Sequence, residues 1–195
     1  MSSWALVTGA TAGIGESFSR LLASNRYNIV LVARDLPRLH ERAKTLEEKF
    51  GVKTHVIQAD LATDEGCLKI ERYISDNQIE VLINNAGFGT NKAFTMSTLE
   101  IEQQLLDVLV RTPMRLMHVA LPLMKERNNG VIINVSSVAG YIAGGSYSAS
   151  KSYLTVLSES LNTELSATNV KVSALCPGFT RTEFHQRGKM SMKAL

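Results

Sequence analysis

The 195-residue sequence predicts a doubly wound α/β fold, six parallel strands with helices on both faces, on three observations. Short apolar, often β-branched runs alternate with longer segments of helical spacing. Those runs are apolar throughout rather than at every second position, as a sheet covered on both faces requires. Finally, Gly9, Gly13 and Gly15 follow the first run and open the first helical segment.

In chain order, Trp4-Ala5-Leu6-Val7-Thr8 reads as a strand with its apolar centre at Ala5 to Val7, and the glycine cluster leads into a helix from Glu16 to Ser24. A second strand runs from Asn28 to Ala33. A charged amphipathic helix follows from Leu36 to Phe50, with Gly51 at the position where helices end in a left-handed residue. Lys53 to Gln58 is the third strand, Thr63 to Asp76 the next helix and Val81 to Asn84 the fourth strand. Ser97 to Arg127 is too long for one unbroken helix, and Thr112-Pro113 fits an N-cap followed by proline in the first turn. A kink is therefore expected at Leu109 to Thr112. Val131 to Val135 is the fifth strand. Beyond Tyr147, Leu154, Leu157, Leu161 and Leu165 share one helical stripe, so Tyr147 and Lys151 open a helix packed on the sheet. Val170 to Leu175 is the sixth strand. With no internal repeat, low-complexity tract or linker, residues 1–195 are expected to form one dinucleotide-binding (Rossmann-type) domain.

The formal charge of +3 is spread along the chain without runs, so neither a nucleic acid nor a membrane surface is expected as a partner. Cys67 and Cys176 form no C-x-x-C, which suggests reduced thiols, and no metal site is expected. The first strand follows Met1-Ser2-Ser3 directly, leaving no room for a signal peptide, and no run of about 18 apolar residues suggests a membrane span. The expected compartment is the cytoplasm.

Glycines after a first strand let the backbone turn tightly and approach a pyrophosphate at a helix N-terminus, so Gly9, Thr11, Gly13, Ile14 and Gly15 are candidate cofactor-binding residues. At the end of the second strand, an acidic residue for the ribose hydroxyls of NAD is replaced by Ala33-Arg34. A guanidinium there suits a 2′-phosphate, so NADP(H) is expected over NAD(H), with Asp35 the competing candidate and Arg38 a possible helper. Tyr147 and Lys151, four residues apart, share a helix face. An ammonium beside a phenol that ordinarily titrates near 10 is expected to lower that value by about 1–3 units and ready it for proton transfer.

With T-G-x-x-x-G-x-G at 8 to 15, Asp60-Leu61, Asn84-Asn85-Ala86-Gly87, Ser136-Ser137, Tyr147 to Lys151 and Pro177-Gly178, each at a strand end and in this order, the chain resembles the short-chain dehydrogenase/reductase family along its whole length. The resemblance implies an NADP(H)-dependent oxidoreductase that interconverts a carbonyl and a secondary alcohol. It implies that Asp60 and Leu61 border the adenine, that Asn85, Ala86 and Gly87 line the cofactor, and that Pro177, Gly178 and Thr180 flank the nicotinamide. Tyr147 becomes the acid in reduction and the base in oxidation, Lys151 the partner of the nicotinamide ribose, and Ser137 the hydroxyl that polarises the carbonyl, with Ser136 the alternative.

Three departures stand beside the resemblance. Leu109 occupies the place where the family commonly has an asparagine that helps hold a relay water. Ser137 lies ten residues before Tyr147, about three fewer than is common, so the Val138 to Ser146 loop is short. The usual seventh strand, lid helix and much of the pocket and subunit interface have no counterpart after Phe179 to Phe184 and Gly188 to Leu195. On that reading the sixth strand is an unpaired apolar edge, which predicts aggregation, pairing with another chain, or a truncated gene product. A catalytically weak cofactor-binding fragment or interaction protein is the alternative function. A small-molecule carbonyl or alcohol is the expected partner, and a homo-oligomer is compatible with the sequence.

Overall fold

The structure, a computed structural model, describes residues 3–90, 92–178 and 180; Asn91, Phe179 and the chain end read above from Arg181 to Leu195 lie outside the described residues. Six strands form one parallel sheet: β1 (Trp4–Thr8), β2 (Asn28–Ala33), β3 (Thr54–Gln58), β4 (Ile79–Asn84), β5 (Gly130–Val135) and β6 (Val170–Leu175). Their spatial order is β3-β2-β1-β4-β5-β6, which reverses direction at β1 and β4 and makes the fold doubly wound. The helices are α1 (Gly13–Ser24), α2 (Leu36–Phe50), α3 (Asp64–Asp76), α4 (Leu99–Leu106), α5 (Thr112–Glu126) and α6 (Gly145–Glu164).

Alternate residues of each strand feed two cores. Leu6, Val30, Leu82 and Ile132 point to the layer of α3, α5 and α6, while Ala5, Val7, Leu31 and Ile83 point to that of α1 and α2. Burial on both faces holds for β1, β2 and β4 and fails at the two sheet edges. On β3 His55 and Gln58 are exposed, and on β6 Val170 and Val172 are buried while Lys171 and Ser173 face solvent. The edge expected to be apolar is therefore alternating, and a lysine on it hinders pairing with a foreign strand. Among the described residues, β6 pairs with β5 and with no other strand.

Two helix readings change. α1 begins at Gly13, three residues earlier than the spacing suggested, because the glycine loop itself makes the first turn. The long segment between β4 and β5 does not break at Thr112, whose φ of −61° and ψ of −57° are helical. α4 instead passes through one π turn, Asp107–Arg111, into α5. Pro113 supplies the cause: it has no N–H for the carbonyl of Leu109, and its ring would clash there in a regular α-helix, so the backbone widens by one residue. The Thr112 hydroxyl, free of capping duty, donates to the Leu61 carbonyl at 2.7 Å and lies 3.1 Å from Cys67 Sγ, tying α5 to the end of β3. Gly51 closes α2 with φ +66° as expected.

Gly66 sits in the first turn of α3, where its amide donates to the Thr63 hydroxyl and a β-carbon would overlap the Asp60 carbonyl. Gly66→Ala should therefore cost about 1–3 kcal/mol of folding stability by overpacking, against the gain of about 1 kcal/mol usual for glycine-to-alanine inside a helix. Urea denaturation checks the sign, and a stabilised variant would contradict this packing.

Candidate active site

The site lies at the carboxyl ends of β1, β4, β5 and β6, where the strand order reverses and a crevice opens in a doubly wound sheet. Three short-range devices build its floor. After β1 the chain turns through Gly9 at φ +66° and Gly13 at +56°. Gly15 packs so closely on Gly9 and Asn85 that a side chain there would overlap the Gly9 carbonyl. Thr8 is the latch between loops: its hydroxyl donates to the Ile83 carbonyl and accepts from the amides of Asn85 and Ala86 at 2.9 and 3.0 Å. The Asn85 amide group answers by donating to the carbonyls of Thr8 and Gly9 at 2.8 and 3.2 Å. Arg42 on α2 braces the same loop from outside, donating to the Thr11 carbonyl at 3.4 Å and pairing with Glu16 at 3.5 Å. Arg42 was not singled out by the sequence, and Thr8 entered only as the first residue of the T-G-x-x-x-G-x-G motif, with no role of its own. A threonine before a glycine loop and one arginine among several carry no signal of their own.

The opposite wall comes from β5 and α6. Ser136 and Ser137 divide in role: Ser136 is buried, donates to the Lys151 carbonyl at 2.7 Å and meets Thr155 at 2.7 Å, fastening α6 to the sheet. Ser137 instead hydrogen-bonds the phenol of Tyr147 and accepts from the Ala139 amide at 3.1 Å. Lys151 is 5% exposed, donates from Nζ to the Val135 carbonyl at 2.7 Å and lies 5.6 Å from the centre of the Tyr147 ring. Ser137, Tyr147 and Lys151 thus meet on one cleft of about 450 Å³. Its lining also includes Gly9, Gly13, Ile14, Asn85, Ala86, Gly87, Pro177, Gly178 and Thr180. Thr11, Gly15, Arg34, Asp60 and Leu61 stand outside that cleft. Arg34 is exposed at the end of β2, Asp60 accepts from the Ala62 amide at 3.1 Å, and Leu61 is buried against the core. Asp35 is taken up as the N-cap of α2, accepting from the Arg38 amide, which weakens its candidacy for a ribose.

Electrostatics differ from the sequence expectation. Burial pushes the Tyr147 phenol above its ordinary value, and the Ser137 hydrogen bond offsets only part of the rise. Lys151 does not produce the expected lowering, because its ammonium is turned to the Val135 carbonyl and both groups are desolvated together. Burial pushes Lys151 down to about 8, with the charge of Cys176 acting in the opposite direction.

Behind Lys151 lies a small cavity of about 10 Å³, lined by Asn84, Leu109, Val135 and Lys151 among others. Asn84 donates to Asn134 at 2.8 Å, and Asn134 continues to Ser158 at 2.9 Å, a polar ladder across the core that sequence reading did not find. The buried Asn84 Oδ1 has no hydrogen-bond partner among the described residues. Leu109, 2% exposed, meets this cavity with hydrocarbon.

A dinucleotide fits what is built here. The Ala12 N-cap of α1 makes no side-chain hydrogen bond, and the positive-φ glycines bring bare backbone to the cleft, a cradle for a pyrophosphate.

Comparison with known proteins agrees with this geometry. The sequence model of short chain dehydrogenase matches residues 3–192. The chain is 33% identical over 192 residues to the very-long-chain 3-oxoacyl-CoA reductase of Rattus norvegicus, covering 94% of this chain and 61% of that protein. It is 32% identical over 185 residues to the inactive hydroxysteroid dehydrogenase-like protein 1 of Homo sapiens, covering 92% of this chain and 56% of that one. The chain thus spans about three fifths of the length of these curated relatives. Among solved structures, the short-chain dehydrogenase from Sphingobium yanoikuyae in complex with NADPH superposes with a TM-score of 0.96 at 32% identity, over 99% of this chain and 77% of that one. No described helix is long and apolar enough to cross a membrane.

The depressed Lys151 sets a testable sign. The folded chain binds this proton less tightly than the unfolded chain, so between about pH 8 and 10.5 the unfolded state holds more protons and stability rises with pH. The stability of wild type relative to Lys151→Met should therefore increase by about 2 kcal/mol from pH 7 to pH 9.5, read from urea titrations. A difference independent of pH would contradict the burial of a charged Lys151.

Proposed function

This chain belongs to the short-chain dehydrogenase family, and on that premise we propose that it is an NADP(H)-dependent oxidoreductase interconverting a carbonyl and a secondary alcohol. The observation that carries the proposal is the Ser137–Tyr147 hydrogen bond with a buried Lys151 beneath it on one cleft. The proposed unit is a single dinucleotide-binding domain working in the cytoplasm.

In this reading the glycine loop and the first turn of α1 hold the pyrophosphate, Asn85, Ala86 and Gly87 line one side, Pro177, Gly178 and Thr180 the other, and Asp60 and Leu61 border the adenine. Arg34 receives the 2′-phosphate. When bound, the reduced nicotinamide supplies a hydride to the carbonyl carbon. Ser137 holds the carbonyl oxygen, and Tyr147 gives that oxygen its phenolic proton as negative charge develops. A phenol raised by burial stays protonated, as an acid for reduction must. Lys151 stabilises the phenolate left behind and passes it a proton. Asn84, whose buried Oδ1 has no hydrogen-bond partner among the described residues, and Lys151 line the same small cavity, whose volume suits about one water, so this amide takes the relay role that the Leu109 side chain cannot fill.

A second reading, a cofactor binder with little turnover, is favoured by Leu109 and by the similarity to a human relative named inactive. Tyr147→Phe separates the two. It should lower kcat for NADPH-driven carbonyl reduction at least about 100-fold and leave NADPH affinity within a small factor. Wild-type protein that binds NADPH yet reduces no member of a broad carbonyl panel would decide for the second reading.

Arg34→Ser tests the cofactor preference. It should weaken NADPH binding about tenfold or more and spare NADH, since a charge-assisted contact to one phosphate is lost. Equal losses for both nucleotides, measured by fluorescence titration, would remove Arg34 from this role.

A further inference from the structure

We infer that the site takes a neutral ketone with a bulky apolar substituent seated against Val138 and Ile142; the inference rests on the carbonyl-reductase reading. Val138, Ala139, Ile142 and Gly144 line the cleft beside Ser137 and Tyr147. Val138 is 47% and Ile142 66% exposed, so the wall next to the reacting groups presents hydrocarbon to water. A substrate that covers it gains the free energy of removing that surface from solvent.

The wall is fixed in advance. The turn Val138–Tyr141 is held by the Ala139 and Gly140 amides, which donate to the hydroxyl and carbonyl of Ser137 at 3.1 and 2.9 Å. Gly140 packs so tightly on the backbone of Lys151 and Ser152 that a β-carbon there would stand 3.0 Å from both. Tyr141 continues the apolar edge outward, 67% exposed, with its hydroxyl 3.8 Å from Cys176 Sγ. A rigid apolar shelf binds without an ordering cost.

Charge points the same way. Among the described residues lining the cleft, Lys151 is the one that carries a charge, and its ammonium is buried against the Val135 carbonyl. A carboxylate or phosphate next to the carbonyl would lose its water for no partner among them.

The test is kcat/KM with NADPH for three methyl ketones that differ in one substituent: phenylacetone, acetone and pyruvate. Phenylacetone should exceed acetone by about 100-fold, with pyruvate slowest. Ile142→Asp should narrow the phenylacetone-to-acetone ratio about tenfold, through KM rather than kcat, and Val138→Ser serves as the second variant. Acetone or pyruvate turned over as well as phenylacetone, or a ratio that neither variant moves, overturns the inference and leaves the reductase reading intact. Absence of NADPH oxidation with all three overturns this inference, and the reductase reading falls with it only when the broad carbonyl panel is inert as well.

Discussion

The burial of one ammonium group sets the terms for the rest of the structure. Lys151 sits at the start of α6 with 5% of its surface exposed, and burial takes it from an ordinary 10.5 down to about 8 against the opposing charge of Cys176, a net cost of about 3 kcal/mol. Everything nearby offsets that cost or makes use of it. The Val135 carbonyl at the end of β5 accepts one of its N–H groups, and the Lys151 carbonyl is held in turn by Ser136 and Thr155. The same fastening fixes Tyr147 one turn earlier, against Ser137. A desolvated corner of this kind reduces stability where the proposed chemistry gains from it.

Rigidity is supplied from the other side of the sheet reversal. Thr8 and Asn85 exchange five hydrogen bonds with the backbone of β1, β4 and the loops that leave them, so the glycine turn and the Asn85 to Gly87 turn move as one body. Their backbone amides are thereby aimed before any ligand arrives, which is the condition for electrostatic preorganisation. The buried ladder from Asn84 through Asn134 to Ser158 performs a similar service across β4, β5 and α6, and it ends beside the Lys151 cavity.

Much of this was legible in the sequence because it is governed by local rules. Central strands announce themselves as continuous apolar runs, and β2, α2 and β6 carry the bounds that the spacing gave. Edges were misjudged, since apolar content alone does not reveal which face a helix covers; Lys171 and Ser173 were the available clue on β6. The π turn escaped because Thr112-Pro113 satisfies the composition of an N-cap equally well, and only tertiary contact with Leu61 decides against it. Of the site, the motif residues at strand ends were readable, and the division between Ser136 and Ser137 was not, because it depends on which hydroxyl faces α6. The direction of the Tyr147 shift was misread for a related reason: proximity to Lys151 was visible at i, i+4, but the burial that outweighs it was not.

The proposed reduction depends on Lys151 acting as a charged, titrating partner of Tyr147. Its most direct measurement is the pH dependence of kcat/KM for NADPH-driven ketone reduction. Activity should be level at neutral pH and fall as pH rises through about 8, where Lys151 loses its proton. A rate that stays level through pH 9.5 would contradict the account.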